Sequence, residues 1–236
     1  MKKSLLATVF IALFFATGGY AQFVTNSGLN QMSSRTQVLQ QKLNNPIEND
    51  SIGVVGSPYE FKSFLPANVY YKDTLMGSYL VRYNVFGDEM QVRKNSTKEI
   101  EALLKTKEIH VKMNDLNYFY YNYVLNEVFQ QGYFLEIVKG EKANFLVRKK
   151  KIYVPGRKSK NSYVPASPNR FSDTEDYFIL FQGKNQPIEI PSSNKKFLAL
   201  FDDGNNEKYQ NFIKENKLKL NKSRDLEKFF IYYNQQ

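Results

Sequence analysis

The sequence predicts an α+β protein, in which a curved antiparallel β-meander of about eight to ten strands precedes a three-helix C-terminal segment. Two observations support this prediction. Between residues 59 and 191, short runs of alternating apolar and polar residues are separated by turn-forming residues, which is the spacing of an antiparallel meander. After residue 192 the apolar residues recur every three or four positions, the period of an amphipathic helix. The abundant aromatic residues, 17 Tyr and 19 Phe, would supply most of the core.

The first 21 residues have the features of a secretory signal peptide. Lys2 and Lys3 precede an apolar run over residues 5–16, and Gly19-Tyr20-Ala21 offers small residues to a signal peptidase. The apolar run is shorter than the roughly 20 residues that a transmembrane helix needs. We therefore expect cleavage before Gln22, no transmembrane segment after signal removal, and export to the periplasm, the cell surface or the extracellular medium.

The residues that follow the signal peptide form a polar segment ahead of the β domain. Apolar residues spaced near three and four over residues 22–45 indicate a weakly amphipathic helix. Residues 46–58, with Gly53 and Gly56, are typical of a linker or of an edge segment laid over the domain. The predicted organisation is a signal peptide (1–21), a polar segment and linker (22–58), an antiparallel β domain (59–191) and a helical segment packed on the sheet (192–236).

Turn signals divide the β domain into individual strands. The predicted strands cover residues 69–72, 78–86, 89–93, 109–113, 117–125, 133–139, 144–154, 175–181 and 187–190. A short helical pattern over residues 97–104, with Thr97 as its N-cap, interrupts them. Turns are predicted at residues 114–115, 131–132 and 140–141. Five aromatic residues within 118–123 place rings on both faces of one strand, as in a strand buried on both sides or one that lines a cleft.

Three helices are predicted after the last strand, over about residues 192–201, 205–216 and 223–233. Ser192 and Ser223 are the expected N-caps of the first and third helices, and Gly204 ends the first. Because each helix carries an apolar stripe, the helices must pack against each other or against the sheet.

The composition excludes several kinds of chemistry. The chain has no Cys, which excludes thiol catalysis, thiolate metal sites, iron–sulfur clusters and disulfides. The single histidine, His110, lies on the polar phase of its predicted strand, which favours a solvated position over a catalytic role. The sequence also lacks phosphate-binding glycine loops, nucleophile elbows and zinc-protease motifs. We assign no catalytic residue, metal ligand or cofactor.

The chain is strongly basic, with a formal net charge of +10, or +8 without the two signal-peptide lysines. For an exported protein this charge favours lipid headgroups or acidic glycans as partners rather than nucleic acid. The densest positive stretch is residues 148–151 together with the predicted loop over 155–168. The candidate ligand-binding residues are Arg148, Lys149, Lys150, Arg157, Lys158, Lys160 and Tyr163. The alternatives are an edge strand protected by lysines and a merely solvated basic surface.

Acidic residues suggest two other activities. Asp173, Glu175 and Asp176 could supply the paired carboxylates of a glycoside hydrolase, although residues 175 and 176 point to opposite faces of a strand. The run over residues 202–207 gathers oxygen ligands around a glycine. It lacks the alternating ligands and the distant Glu of an EF-hand loop, and helix caps account for it.

Four stretches resemble a family of exported Bacteroidota proteins of uncharacterised function: Tyr70-Tyr71-Lys72-Asp73, Arg82-Tyr83-Asn84 with Asp88-Glu89, Glu175-Asp176-Tyr177 and Ile190-Pro191-Ser192-Ser193-Asn194-Lys195-Lys196-Phe197-Leu198. The resemblance spans most of residues 59–236 and implies export, but it brings no catalytic or ligand-binding residue with it. Asp50-Ser51-Ile52 and Asp73-Thr74-Leu75 also resemble the O-glycosylation motif of that phylum's periplasmic proteins. We therefore expect an exported, non-enzymatic binding or scaffolding protein of the bacterial cell envelope. The alternative is a carboxylate-dependent hydrolase acting on an envelope glycan.

Overall fold

The computed structural model describes residues 53–93, 99–159, 163 and 165–236. The predicted signal peptide, most of the polar segment, Thr97 and Lys160 lie outside the described residues. The described strands are β1 (Leu65–Tyr71), β2 (Thr74–Asn84), β3 (Glu89–Arg93), β4 (Ile100–Ala102), β5 (Ile109–Met113), β6 (Leu116–Leu125), β7 (Val128–Val138), β8 (Ala143–Val154), β9 (Arg170–Phe181) and β10 (Ile188–Glu189). The described helices are α1 (Asn194–Leu198), α2 (Asn206–Glu215) and α3 (Ser223–Gln235).

All ten described strands join one antiparallel sheet, in the order β10-β9-β8-β7-β6-β5-β1-β2-β3-β4. Strands consecutive in sequence are neighbours except at one point, because β5 pairs with β1 rather than with β4. The chain therefore extends the sheet in one direction from β1 to β4 and in the other from β5 to β10. The predicted α+β architecture, an antiparallel meander followed by three helices, is confirmed.

The helix predicted over residues 97–104 is wrong where the structure describes it. Ile100–Ala102 form β4, which pairs with β3 at the edge of the sheet. The Leu103 amide extends this attachment by donating to the Met90 carbonyl (2.9 Å). Pairing with the open edge of β3 thus outweighs the helical preference of the local sequence.

The turn predicted at residues 131–132 is also wrong, because the hairpin turns earlier, at Asn126 and Glu127. Both residues have positive φ angles, 50° and 64°, as a two-residue type I′ turn requires. Gly132 instead lies inside β7. A Cβ at this position would stand 2.5 Å from Arg148 Nε, so Gly132 leaves room for the Arg148 side chain and does not form a turn.

The sheet curls until β2 lies over β6 and β7. The Tyr83 ring is 5.6 Å from the Tyr118 ring and 5.8 Å from the Tyr133 ring. In a flat sheet, three strand spacings would separate β2 from β6 by about 14 Å. The concave face holds an apolar core built around Val81, Tyr83, Val111, Tyr118 and Tyr133.

Residues 53–64 bridge the two sides of this curl. Val55 pairs with Arg170 at the start of β9, and Tyr59 pairs with Asn84 at the end of β2. The Arg82 guanidinium lies 3.6 Å from the centre of the Tyr59 ring. The part of the predicted linker that the structure describes is therefore attached to the sheet.

The three helices cover the same face of the sheet over β7, β8 and β9. Phe230 stacks on Phe145 of β8 with ring centres 5.2 Å apart, and Phe197 and Phe229 lie fully buried beside it. Asn234 then ties α3 to the start of β8, since its Oδ1 accepts hydrogen bonds from the Lys142 and Ala143 amides (3.0 and 3.1 Å). The apolar stripes of the helices are thus part of the main core.

Candidate functional site

Residues 148–151, the β8 basic run, lie where β8 pairs only with β9. The acidic residues of β9 occupy the matching positions of the antiparallel ladder. The register places Arg148 opposite Asp176, Lys149 opposite Glu175 and Lys151 opposite Asp173. Opposite charges at facing positions attract across a sheet.

Every cation of the β8 basic run forms an ion pair. Arg148 pairs with Asp88 (3.3 Å), Lys149 with Glu60 (2.9 Å) and Glu175 (3.7 Å), Lys150 with Asp176, and Lys151 with Asp173. The run is therefore neutralised by carboxylates of the protein itself. An external anion would have to compete with carboxylates already in place.

Glu60 is the most buried partner in this network, because its side chain is only 8% exposed. Its second oxygen accepts a hydrogen bond from the Tyr118 hydroxyl (2.6 Å). Burial alone would lower the pKa of Lys149, but the hydrogen bond and the charge of Glu60 outweigh burial and raise it. Burial and the neighbouring Glu60 also raise the pKa of Tyr118, which keeps its hydroxyl protonated as the donor. Glu60 thus links the N-terminal segment to β6 and β8.

Asp88 plays the corresponding part at the turn between β2 and β3. Its Oδ1 accepts hydrogen bonds from the Tyr83 hydroxyl (2.7 Å) and the Tyr133 amide (3.3 Å), while Oδ2 meets Arg148. The Arg148 guanidinium also lies 5.1 Å from the centre of the Tyr123 ring. These contacts hold the curled sheet closed. Sequence analysis missed Glu60 and Asp88, because neither residue lies near the basic run along the chain.

The structure divides the seven predicted ligand-binding residues into two groups. Arg148, Lys149 and Lys150 belong to the ion-pair network, whereas Arg157, Lys158 and Tyr163 are exposed in the loop between β8 and β9. The backbone of Arg157 pairs with that of Ser167, which gives the base of this loop a defined conformation. Lys160 lies outside the described residues.

A second basic surface occupies the connection between α2 and α3 together with the adjoining ends of both helices. This lysine connection, residues 214–224, presents five exposed cations: Lys214, Lys217, Lys219, Lys222 and Arg224. None of the five forms an ion pair with a residue that the structure describes. Sequence analysis missed this surface as a site, although the alternation of lysine and leucine over residues 217–220 is a visible signal.

Buried leucines hold the lysine connection in place. Leu218 and Leu220 point into the helical core, so Lys217 and Lys219 between them point outwards. Lys217 has a positive φ of 51°, and the Lys219 amide donates to the Asp225 carboxylate (3.0 Å). The connection is therefore a fixed turn that displays its cations on one anchored segment.

The geometry gives little support to the acidic alternatives. Asp173, Glu175 and Asp176 are each paired with a lysine of the β8 basic run. In the run over 202–207, Asp203 accepts hydrogen bonds from the Tyr209 hydroxyl and the Asn205 amide, which is a local helix-start arrangement. The described residues contain no group of His, Asp and Glu that could hold a metal ion.

His110 lies on the outer face of β5 between two aromatic rings. Its ring is 4.6 Å from Tyr70 and 5.0 Å from Phe119, and both pairs are stacked. Burial lowers the pKa of His110, so the ring is neutral at pH 7. The side chain is half-buried in an aromatic row rather than fully solvated.

Thr74, in one of the two glycosylation-like motifs, is exposed at the start of β2, and Ser51 lies outside the described residues. Among the helices that the structure describes, none has the length and apolar character needed to cross a bilayer.

Comparisons with protein-family models, curated protein sequences and solved structures found no match. Evidence for a function must therefore come from the charged surfaces of the molecule itself.

Proposed function

We propose that the protein is an exported, non-enzymatic binding or scaffolding protein of the bacterial cell envelope that binds an anionic component, a lipid headgroup or an acidic glycan. The observation that carries this proposal is the lysine connection, whose five exposed cations form no ion pair with the described residues. The β8 basic run, by contrast, is neutralised by Asp88, Glu60 and the acids of β9.

The physical argument compares the free-energy cost of binding for a paired lysine with the cost for an exposed one. A lysine already paired must lose its carboxylate before it meets a new anion, whereas an exposed lysine loses mainly hydration and side-chain entropy. Near an anionic membrane surface each such lysine contributes about 1 kcal/mol. The overall positive charge of the chain adds a long-range attraction that salt screens over about 8 Å at physiological ionic strength.

Two triple variants test the location of the binding surface. The first changes Lys217, Lys219 and Lys222 to Gln, and the second changes Arg157, Lys158 and Lys160 to Gln, so both remove three positive charges. The probes are phosphatidylcholine vesicles with and without phosphatidylglycerol, and alginate as an acidic glycan. The two probes distinguish a lipid from a glycan ligand.

We expect the first variant to weaken binding about 100-fold, because three lysines at about 1 kcal/mol each correspond to that ratio. The second variant should lose only a few-fold, and both should retain the wild-type circular dichroism spectrum. Equal losses would reduce the interaction to nonspecific charge attraction. A loss confined to the second variant would move the site to the loop between β8 and β9. Wild-type protein that binds neither probe would overturn the proposed function.

A further inference from the structure

The hairpin of β6 and β7 extends beyond the strands that flank it. β5 pairs with β6 only as far as Phe119, and β8 pairs with β7 only from Leu135 onwards. Residues 120–134, the arm, therefore pair in the described part of the chain only with each other. Both outer edges of the arm have backbone amides and carbonyls that no neighbouring described strand uses, and on the β7 edge the Tyr133 amide donates to the Asp88 side chain (3.3 Å).

The base of the arm is packed and its tip is exposed. Tyr123 is fully buried, with its ring 5.3 Å from Phe134 and 5.3 Å from Phe178 of β9. Towards the tip, Val124 and Phe129 face each other across the hairpin on one side, and both are exposed, Phe129 at 61%. Val128, beside the turn, is exposed as well. An apolar tip thus stands on a rigid aromatic base.

The charge of the arm differs from that of the rest of the chain. No Lys or Arg occurs between Lys112 and Lys139, although the protein has 33 of these residues and a net charge of +10. Natural sheets commonly protect open edges with lysine or proline, and residues 113–138 contain neither. The arm is therefore an open edge without basic residues in a basic protein, and Glu127 is its one charged residue.

We propose that the arm is a self-association surface through which two copies of this chain pair about a two-fold axis. Like charges repel over most of the surface of a strongly basic protein, so two copies meet with least repulsion where basic residues are missing. Antiparallel pairing of two equivalent edges satisfies the open backbone groups, and contact between the tips buries Val124, Val128 and Phe129.

A lipid bilayer fits the arm less well than a second copy does. Glu127 forms the turn, so its carboxylate would enter the membrane ahead of the apolar residues. Acidic side chains are costly inside a bilayer. In an arm-to-arm dimer the same carboxylate stays in water at the end of the hairpin.

Sedimentation of the secreted protein over a range of concentrations and salt tests the proposal. We expect a reversible dimer that strengthens as NaCl is raised, because screening reduces the repulsion between two basic copies. Phe129→Asp should raise the dimer dissociation constant at least about tenfold, since it places like charges at the contact. Leu104→Asp is the matched control, because Leu104 is equally exposed at 62%, and it should leave the dimer unchanged.

Because the chain has no Cys, cross-linking of introduced cysteines gives a second measurement. Single-cysteine variants at Asn122, Val124 and Val128 should include at least one that forms a disulfide-linked dimer under mild oxidation, whereas Leu104→Cys should not. A monomer at all concentrations, or equal cross-linking of arm and control variants, would overturn the proposal. If the wild-type protein is a monomer at all concentrations and Phe129→Asp still loses vesicle binding, the arm would instead be assigned to lipid.

Discussion

The two basic surfaces of this protein look alike in sequence and differ in structure. The β8 basic run lies in a strand whose neighbour carries acids at the facing positions, so its cations stabilise the fold. The lysine connection lies between two helices and displays its cations to solvent from an anchored turn. Positive charge density along a sequence therefore does not measure the charge that a ligand can reach.

The difference follows from the geometry of the two elements. A strand in a sheet places its side chains directly opposite those of its neighbour, where opposite charges meet. A short connection between helices has no facing strand, and burying Leu218 and Leu220 forces the intervening lysines outwards. Removing a cation should therefore cost folding energy at the first surface and binding energy at the second.

The largest effect on stability should come from the helical core that supports the lysine connection. Phe230 is fully buried and stacks on Phe145, so Phe230→Ala should destabilise the protein by about 3 to 5 kcal/mol through lost burial and a cavity. Ile231→Ala, at an exposed position next in the same helix, is the control and should change stability by less than about 1 kcal/mol. Chemical denaturation measures both. Equal costs for the two variants would mean that the helices do not pack as described.

A smaller effect should follow from breaking the β8 network at its buried end. Lys149→Met keeps most of the side-chain volume but leaves the Glu60 carboxylate, which is 8% exposed, without its cation. Because an uncompensated buried group costs about 1 to 3 kcal/mol, we expect a loss of that size. Lys217→Met is the matched change in the lysine connection and should cost less than about 0.5 kcal/mol.

The pH dependence of Lys149→Met gives the same comparison a second test. The pKa of Lys149 is raised in the folded protein, so its stabilising effect is complete below its ordinary value near 10.4 and is lost as the pH rises through the folded value. The stability difference between wild type and Lys149→Met should therefore be constant from pH 7 to about pH 9 and should shrink as the pH rises past the ordinary value and through the raised pKa of Lys149. A difference that persists at high pH would assign the effect to packing rather than to charge.

Much of the fold could be predicted because its signals are local. The hairpins that join β1 to β2 and β2 to β3 follow from alternating apolar residues on either side of turn residues. The three helices follow from their apolar spacing. The N-caps predicted for the first and third helices, Ser192 and Ser223, are wrong, because Ser193 and Lys222 hold those positions. By contrast, no local pattern places β5 beside β1, and β4 owes its strand conformation to the edge of β3. Long-range pairing of this kind is decided by the packed sheet.

The candidate site was harder to predict, because register decides which charges meet. Lys151 faces Asp173 across a connection of more than a dozen residues, and a long loop does not fix register as a two-residue turn does. Glu60 and Asp88 reach Lys149 and Arg148 only after the sheet has curled. The lysine connection could have been found from its alternating leucines, which mark the side of the chain that is buried.

The smallest effect is expected at the exposed end of the β8 network, where Asp173 pairs with Lys151. The Asp173 side chain is 74% exposed, so water already solvates it and salt screens its charge. Asp173→Asn should therefore cost at most about 1 kcal/mol, and the cost should fall further in high salt.

A double-mutant cycle of Asp173→Asn with Lys151→Met measures the coupling energy of this pair. A parallel cycle of Glu60→Gln with Lys149→Met measures the coupling energy at the buried end. The second coupling should be the larger, because Glu60 is shielded from water and also holds Tyr118. Equal couplings would mean that burial does not determine the strength of these ion pairs. The cations of the β8 basic run would then contribute as little to stability as those of the lysine connection.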